Sequence, residues 1–177
     1  MRNVILIGFM GTGKTAIGRI VARLLGYQFV DTDQMVEEAT GMTINQIFRK
    51  HGEVRFRSEE ALAVQRLKGS KKTVIATGGG IVLDSKNVGI LKENGIFVLL
   101  TAQPEVILER VSRRNTRPLL AKGKTLENIN KLLNDRRDEY YSCADVVVDT
   151  SYCSMEESAE KIVKIIREKE AYEKKYS

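Results

Sequence analysis

The chain has 177 residues, of which 42% are hydrophobic and 29% are charged, with a formal net charge of +6. That length suits one domain covering residues 1–177 and is enough to bury a core. No apolar run approaches the roughly 20 residues of a membrane-spanning helix, so we expect no membrane segment. The stretch ahead of the first strand is too short for a signal peptide, and we expect none. Cys143 and Cys153 lack metal-binding spacing, which predicts reduced thiols in a cytoplasmic protein.

The basic surplus favours anionic partners. The chain has no Trp, and its aromatic residues do not alternate with basic ones. Phosphate-bearing small molecules therefore fit the charge better than nucleic acid does.

Apolar runs of strand length alternate with segments of helical periodicity, which is typical of a parallel α/β sheet flanked by helices. Five strands are predicted, at residues 4–7, 28–30, 73–77, 96–100 and 145–148. Helices are predicted at 14–25, 33–39, 43–50, 53–68, 85–95, from 104 onwards, at 125–141 and from 154 onwards. Ser85 is expected to cap one of these helices, and residues 168–177 are expected to fray. Residues 112–124 are polar and aperiodic, and we predict that they form a lid.

Residues 8–15, Gly-Phe-Met-Gly-Thr-Gly-Lys-Thr, fit the phosphate-binding pattern G-x-x-x-x-G-K-[ST] directly after the first strand. Glycines let the backbone wrap a phosphate, and its N–H groups bind the anion together with the positive end of the next helix. Lys14 is predicted to reach the β- and γ-phosphates of ATP, and Thr15 to offer its hydroxyl to Mg²⁺. The predicted ATP-binding residues of this segment are Gly11, Thr12, Gly13, Lys14, Thr15 and Ala16.

Asp31 and Asp33 close the second predicted strand, at the sheet edge where ligands of open parallel sheets bind. Asp31 is a candidate for ordering the water shell of Mg²⁺, and Asp33 for accepting a hydrogen bond from an acceptor hydroxyl. We also expect one of the two to cap the following helix.

Two further motifs have both a functional and an ordinary interpretation. Arg57 and Glu60 lie three positions apart on a predicted helix and could bind a carboxylate and a hydroxyl, but the spacing alone favours a surface ion pair. The triplet Gly78-Gly79-Gly80 follows the third strand and indicates either a tight turn or close approach of a ligand to the backbone.

Arginines concentrate around the predicted lid and on the helix that follows it, namely Arg110, Arg113, Arg114, Arg117, Arg136 and Arg137. Arginine binds phosphate and carboxylate through two parallel hydrogen bonds. We interpret Arg113, Arg114 and Arg137 as a solvated basic face. The single histidine, His51, is interpreted as a helix-end residue.

These motifs together resemble the shikimate kinase family, a group of P-loop proteins similar to nucleoside monophosphate kinases, over residues 4–167. Six motifs appear in the order of that family: the P-loop, Asp31-x-Asp33, Phe56-Arg57-x-x-Glu60, the glycine triplet, Arg117-Pro118-Leu119-Leu120, and Arg136 with Tyr140.

The resemblance implies a three-layer α/β P-loop NTPase fold in which a five-stranded parallel sheet is flanked by helices and carries a lid. It implies transfer of the γ-phosphate of ATP to the 3-hydroxyl of shikimate, with Mg²⁺, in aromatic amino-acid biosynthesis. ATP and shikimate would be the partners of a monomer that binds neither nucleic acid nor membrane.

By the same resemblance, Arg57 and Arg136 clamp the shikimate carboxylate, and Asp33 orients the 3-hydroxyl and takes its proton. Lys14 and Arg117 stabilise charge on the transferring phosphoryl group. Arg110 and the turn at residues 150–153 hold adenine. The acceptor contacts are implied to lie mainly on helices at residues 33–61 and at Glu60, Gly78, Gly79 and Gly80.

Three alternatives remain. Gluconate kinase and nucleoside monophosphate kinases share the P-loop but would not be expected to combine the Asp-x-Asp, Phe-Arg-x-x-Glu and glycine-triplet motifs. A GTP-dependent switch usually needs Asn-Lys-x-Asp, and the nearest match, at residues 130–133, ends in Leu. A nucleic-acid-binding module is favoured by the net charge alone.

Overall fold

The fold is built on five parallel strands, seen in a computed structural model that describes residues 1–113 and 125–176. In chain order the strands are β1 (Asn3–Ile7), β2 (Gln28–Asp31), β3 (Thr73–Ala76), β4 (Gly95–Thr101) and β5 (Val146–Asp149). Their order in the sheet is β2-β3-β1-β4-β5, with every pair parallel. The central strand β1 is completely buried, as expected where helices cover both faces of a parallel sheet.

Helices cover the sheet on both sides. In the described residues they are α1 (Lys14–Leu25), α2 (Thr32–Thr40), α3 (Ile44–Arg66), α4 (Ser85–Lys92), α5 (Pro104–Ser112), α6 (Leu126–Asn134), α7 (Arg137–Cys143) and α8 (Met155–Tyr176), with a 3₁₀ turn at Ile81–Leu83. None of these helices is long and apolar enough to cross a membrane.

Alternate residues of the strands feed two cores, one on each face of the sheet. Ile5 and Ile7 pack into the core formed with α3 to α7, whereas Val4 and Leu6 pack against α1 and α8. A smaller apolar cluster joins α2 to α3. The structure is therefore three-layered, and the predicted fold class and five strands are confirmed.

The predicted helix at 125–141 is wrong as a single element. α6 ends at Asn134 and α7 begins at Arg137, and Arg136 between them has φ −122° and ψ 2°. Arg136 is buried, and its guanidinium contacts the carbonyl of Gly79. A tertiary contact therefore overrides the local helical pattern at this position.

The predicted break between the helices at 43–50 and 53–68 is confirmed, because α3 is interrupted at Gly52, whose φ of 79° and ψ of 178° are not helical. Two smaller boundaries differ from the sequence prediction. Asp84, not Ser85, caps α4, since its carboxylate accepts hydrogen bonds from the backbone of Lys86 and Asn87. Helix α8 continues to Tyr176, through residues that were predicted to fray.

Candidate active site

The P-loop, residues 8–15, joins the buried strand β1 to helix α1. Gly8 has φ of 138°, and a Cβ at this position would collide with the backbone carbonyl of Leu100. Gly13, with φ of 98°, precedes α1, and no side chain of the described residues caps that helix. The first N–H groups of α1 therefore face the loop without a side-chain cap, an arrangement that binds phosphate.

Lys14 and Thr15 are the first two residues of α1. The Lys14 ammonium donates hydrogen bonds to the carbonyls of Gly8, at 2.7 Å, and Phe9, at 2.9 Å, so its Nζ lies directly over the loop. The Thr15 hydroxyl donates to Asp31 Oδ2 at 2.7 Å. The other oxygen of Asp31 accepts from the backbone of Asp33, so Asp31 is the residue that caps α2.

The donor chemistry of this corner fits Mg²⁺. Thr15 and Asp31 supply adjacent hard oxygens, and Mg²⁺ takes few protein ligands because it keeps waters and nucleotide phosphates in its coordination shell. Residues 1–113 and 125–176 contain no group of three or more His, Cys, Asp or Glu side chains that could hold a metal ion.

Two carboxylates lie against the first residue of the glycine triplet, both close to the position that a Cβ would occupy. A Cβ on Gly78 would lie 2.7 Å from Asp33 Oδ1 and 2.7 Å from Glu60 Oε1. The Gly78 N–H donates to the Thr32 hydroxyl, at 3.0 Å, which holds the triplet against the start of α2. Burial raises the pKa of Glu60, and the nearby Asp33 and Asp84 raise it further, against the opposing effect of Arg57.

The prediction that Arg57 and Glu60 form an ordinary surface ion pair is wrong. Glu60 is only 1% exposed and accepts a hydrogen bond from Arg57 Nη1 at 2.9 Å. The guanidinium also reaches Glu53 on the outer side, at 3.0 Å. The Arg57 guanidinium therefore binds a buried carboxylate and also packs against Gly80. A Cβ on Gly80 would lie 2.5 Å from Nη1 and Nη2 of Arg57.

Gly79, the middle residue of the triplet, is bound by Arg136, which lies just before α7, and by Tyr140 on α7. The Gly79 carbonyl accepts hydrogen bonds from Arg136 Nη1, at 3.2 Å, and from the Tyr140 hydroxyl. Burial raises the pKa of Tyr140, although the neighbouring Arg136 and Arg57 oppose this, so the phenol stays a neutral donor near pH 7. α7 thereby fixes the backbone between β3 and the 3₁₀ turn.

Arg110 projects from α5 between the P-loop and the turn at residues 150–153. Its Nη1 donates to the Gly11 carbonyl at 3.2 Å and to the Thr150 hydroxyl at 3.1 Å, and its Nη2 donates to the Thr150 carbonyl at 2.7 Å. The role of Arg110 and this turn in holding adenine stays a prediction, and no sequence motif indicates that Arg110 and Thr150 contact the P-loop.

A cavity of about 880 Å³ joins these elements. Its lining includes Gly11 to Ile17 of the P-loop and α1, together with Asp31, Asp33, Gly79, Arg110, Thr150 and Cys153. Arg57, Glu60 and Arg136 do not line the cavity directly but contact the glycine triplet at its wall. Glu37 and Asn45 also line it, and no sequence motif identified them.

The remaining predicted residues divide into two groups. Arg113 and Arg137 are exposed, as predicted, with Arg113 paired to Glu109 and Arg137 over the Tyr141 ring; His51 is also exposed. Arg114 and Arg117 lie outside the described residues, as does the predicted lid except for residues 112 and 113.

Comparison with known proteins agrees with this arrangement. The sequence model of the shikimate kinase family matches residues 10–167. The shikimate kinase of Pelotomaculum thermopropionicum is 50% identical over 168 residues, covering 95% of this chain and 97% of that protein. The one from Caldanaerobacter subterraneus is 46% identical over 164 residues, covering 93% and 95%.

Among solved structures, the shikimate kinase from Acinetobacter baumannii in complex with shikimate superposes with a TM-score of 0.91. It is 38% identical, and the match covers 96% of this chain and 94% of that one. Gly79 of the triplet, Asp31, Asp33 and the P-loop line one cavity, and the family model covers most of the chain. The chain belongs to the shikimate kinase family, whose members are kinases that phosphorylate an alcohol acceptor.

Proposed function

We propose that the protein transfers the γ-phosphoryl group of ATP to the 3-hydroxyl of shikimate, giving shikimate 3-phosphate and ADP. The observation that carries this proposal is the single cavity that the P-loop shares with Asp33 and Gly79. Such a cavity holds a nucleotide phosphate and a small polyhydroxylated acid side by side. Bringing the two reactants together accounts for much of the catalysis in phosphoryl transfer.

On the nucleotide side, the P-loop N–H groups and Lys14 bind the β- and γ-phosphates. Lys14 Nζ lies within 2.9 Å of two P-loop carbonyls, close enough to reach a phosphate bound in the loop. Thr15 and Asp31, whose side-chain oxygens are 2.7 Å apart, would hold Mg²⁺, Thr15 directly and Asp31 through water. When bound, Mg²⁺ neutralises phosphate charge in the transition state.

On the acceptor side, Arg57 and Arg136 bind the shikimate carboxylate. Both guanidiniums contact the glycine triplet, Arg57 at Gly80 and Arg136 at Gly79, although they are 79 positions apart in the sequence. Glu60, paired to Arg57 at 2.9 Å, fixes the direction of that guanidinium. Arginine suits this role because its planar fork matches a carboxylate.

In the chemical step, the 3-hydroxyl oxygen attacks the γ-phosphorus while the bond to the bridging oxygen of ADP breaks. Asp33 accepts the hydroxyl proton. Its position beside Gly78 and on the cavity wall supports this assignment. Lys14, together with Arg117 on the strength of the sequence motif, stabilises the charge on the transferring group.

We further propose that the enzyme is a cytoplasmic monomer that binds neither nucleic acid nor membranes. These properties remain predictions from the sequence. Size-exclusion chromatography with light scattering measures the oligomeric state directly, and a dimer would contradict this part of the proposal.

The activity is tested by ADP release with shikimate, gluconate and nucleoside monophosphates as separate acceptors, with and without Mg²⁺. We expect ADP formation that depends on both shikimate and Mg²⁺. If shikimate leaves ADP release unchanged while gluconate or a nucleoside monophosphate raises it, the substrate assignment fails.

A further inference from the structure

Thr150 is a buried residue at which three separate segments of the chain meet. It directly follows β5 and is 2% exposed. Its hydroxyl lies 3.0 Å from the Thr12 carbonyl and 3.1 Å from the Thr101 carbonyl, and it accepts a hydrogen bond from Arg110. Its backbone N–H donates to Thr101 at 2.9 Å, which extends the β4–β5 pairing by one residue. The backbone position of Thr150 is thus fixed by the sheet.

A P-loop needs partners on its outer side. When backbone N–H groups converge on a phosphate, the carbonyls of the same peptides point away from it and must find donors elsewhere. Two of these carbonyls, of Gly11 and Thr12, are bound by Arg110 and by the Thr150 hydroxyl respectively. Neither donor belongs to the P-loop or to its flanking strand and helix.

The Thr150 hydroxyl has one proton and can fully satisfy only one carbonyl. Thr101 already receives the Thr150 backbone N–H, whereas Thr12 is the carbonyl that depends on the hydroxyl. Arg110, a charged donor, binds the same hydroxyl oxygen, which polarises the O–H bond and strengthens its onward donation. Arg110 and Thr150 therefore act on the P-loop as a chain of hydrogen bonds.

We propose that Thr150 is a positioning residue for ATP: its hydroxyl holds the Thr12 peptide in the orientation that presents the P-loop N–H groups to phosphate. This inference rests on the proposed binding of ATP at the P-loop. Because Thr150 and Cys153 line the same cavity, Thr150 also links this turn to the phosphate site. Thr150 does not itself touch the reacting atoms.

The test separates phosphate binding from adenosine binding. Thr150→Val has the same shape without the hydroxyl, and Thr150→Ser keeps the hydroxyl. For each variant we would measure the Kd of ATP, the Kd of shikimate and the inhibition constant of magnesium tripolyphosphate, which has phosphates and no adenosine. Thr73→Val is the matched control, because Thr73 is also 2% exposed and its hydroxyl donates to the Lys71 carbonyl at the amino-terminal end of β3.

We expect Thr150→Val to weaken the binding of ATP and of tripolyphosphate by the same factor, about tenfold, since the buried Thr12 carbonyl loses its donor. Shikimate affinity should stay within about twofold of wild type. Thr150→Ser and Thr73→Val should bind all three ligands like wild type.

Three results would overturn the inference: wild-type ATP and tripolyphosphate binding in Thr150→Val, weakened ATP with unchanged tripolyphosphate, or equal losses in the Val and Ser variants. If Thr150→Val does not fold, Thr150→Ala is measured against the same criteria. Failure of the proposed function is distinguishable, because it appears as wild-type protein that does not release ADP in response to shikimate.

Discussion

Gly80 and Arg57 are packed so closely that a Cβ on Gly80 would lie 2.5 Å from both terminal nitrogens of the guanidinium. Gly80 itself has φ of −105°, a conformation that any residue adopts. Gly80→Ala should therefore leave the backbone unstrained and displace Arg57 from its place beside Glu60. We expect the KM for shikimate to rise about tenfold, the scale of one lost charge-assisted hydrogen bond, with an unchanged KM for ATP.

Gly89→Ala is the control for that substitution. Gly89 lies on α4, and a Cβ there would meet nothing within 4 Å. Steady-state kinetics of both variants are compared at saturating co-substrate. A rise in the KM for ATP, or the same effect in both variants, would show that Gly80 does not act through Arg57.

The two arginines proposed to bind the shikimate carboxylate should act together, as one binding group. Arg57→Ala and Arg136→Ala are each expected to raise the KM for shikimate at least about tenfold and to leave the KM for ATP nearly unchanged. The double variant should lose less than the sum of the two single losses, because both guanidiniums bind one ligand group. Lysine at either position should restore binding only in part, since an ammonium lacks the fork.

Arg137→Ala is the matched control for Arg136, because it is the adjacent arginine and its side chain is exposed. It should bind shikimate like wild type. A shikimate KM that stays within about twofold in the Arg57 and Arg136 variants would remove both residues from the acceptor site.

Lys14→Ala should lower kcat by roughly three orders of magnitude, the scale observed when one charge-stabilising group is lost. The fold should survive, because Lys14 begins α1 and its ammonium donates hydrogen bonds to the carbonyls of Gly8 and Phe9, within the loop that directly precedes the helix. Thermal unfolding and shikimate affinity check the fold, and Lys86→Ala, on the exposed surface of α4, is the control. Substantial turnover in a folded Lys14→Ala protein would contradict the assignment of the phosphate lysine.

Glu60 should make stability depend on pH. Its pKa is raised by burial above the ordinary value of 4.5, so the folded state binds this proton more tightly than the unfolded state does. The contribution of Glu60 to the free energy of unfolding should then be greatest below the ordinary pKa and should be lost as pH rises through the folded pKa. Glu60→Gln cannot ionise and lacks this contribution.

The measurement is urea unfolding of wild type and Glu60→Gln from about pH 4 to about pH 8, where other groups cancel in the difference. The stability of wild type relative to the variant should decrease with rising pH. An increase would mean that Arg57 lowers the pKa of Glu60 by more than burial raises it.

Local patterns in the sequence were sufficient for the P-loop, the five strands and most helices. These elements depend on short-range features: apolar runs, the glycines of residues 8–13, and caps such as Thr43, whose capping box with Gln46 is present. The cap formed by Asp31 could likewise be predicted from the sequence, because it acts over two or three residues.

Local sequence patterns could not predict the long-range contacts. The break between α6 and α7 depends on Arg136 reaching Gly79, 57 residues away, and nothing near residue 136 indicates it. The burial of Glu60 depends on the triplet at 78–80 covering it, so spacing on α3 alone suggested a surface pair. The link from Thr150 to Thr12 spans 138 residues and has no sequence signature.

The distance along the chain between the P-loop and its outer partners has a consequence during synthesis. Residues 8–15 leave the ribosome early, yet their carbonyls are held by Arg110, 99 residues downstream of Gly11, and by Thr150. Thr150 is placed by β5, the edge strand that joins the sheet last in chain order. A nascent or truncated chain that stops before β5 therefore carries the complete phosphate-binding motif without Thr150, which binds one of the P-loop carbonyls. The proposed role of Thr150 therefore implies that nucleotide binding depends on the docked last strand, and that a chain ending before β5 binds ATP less tightly than the full chain does.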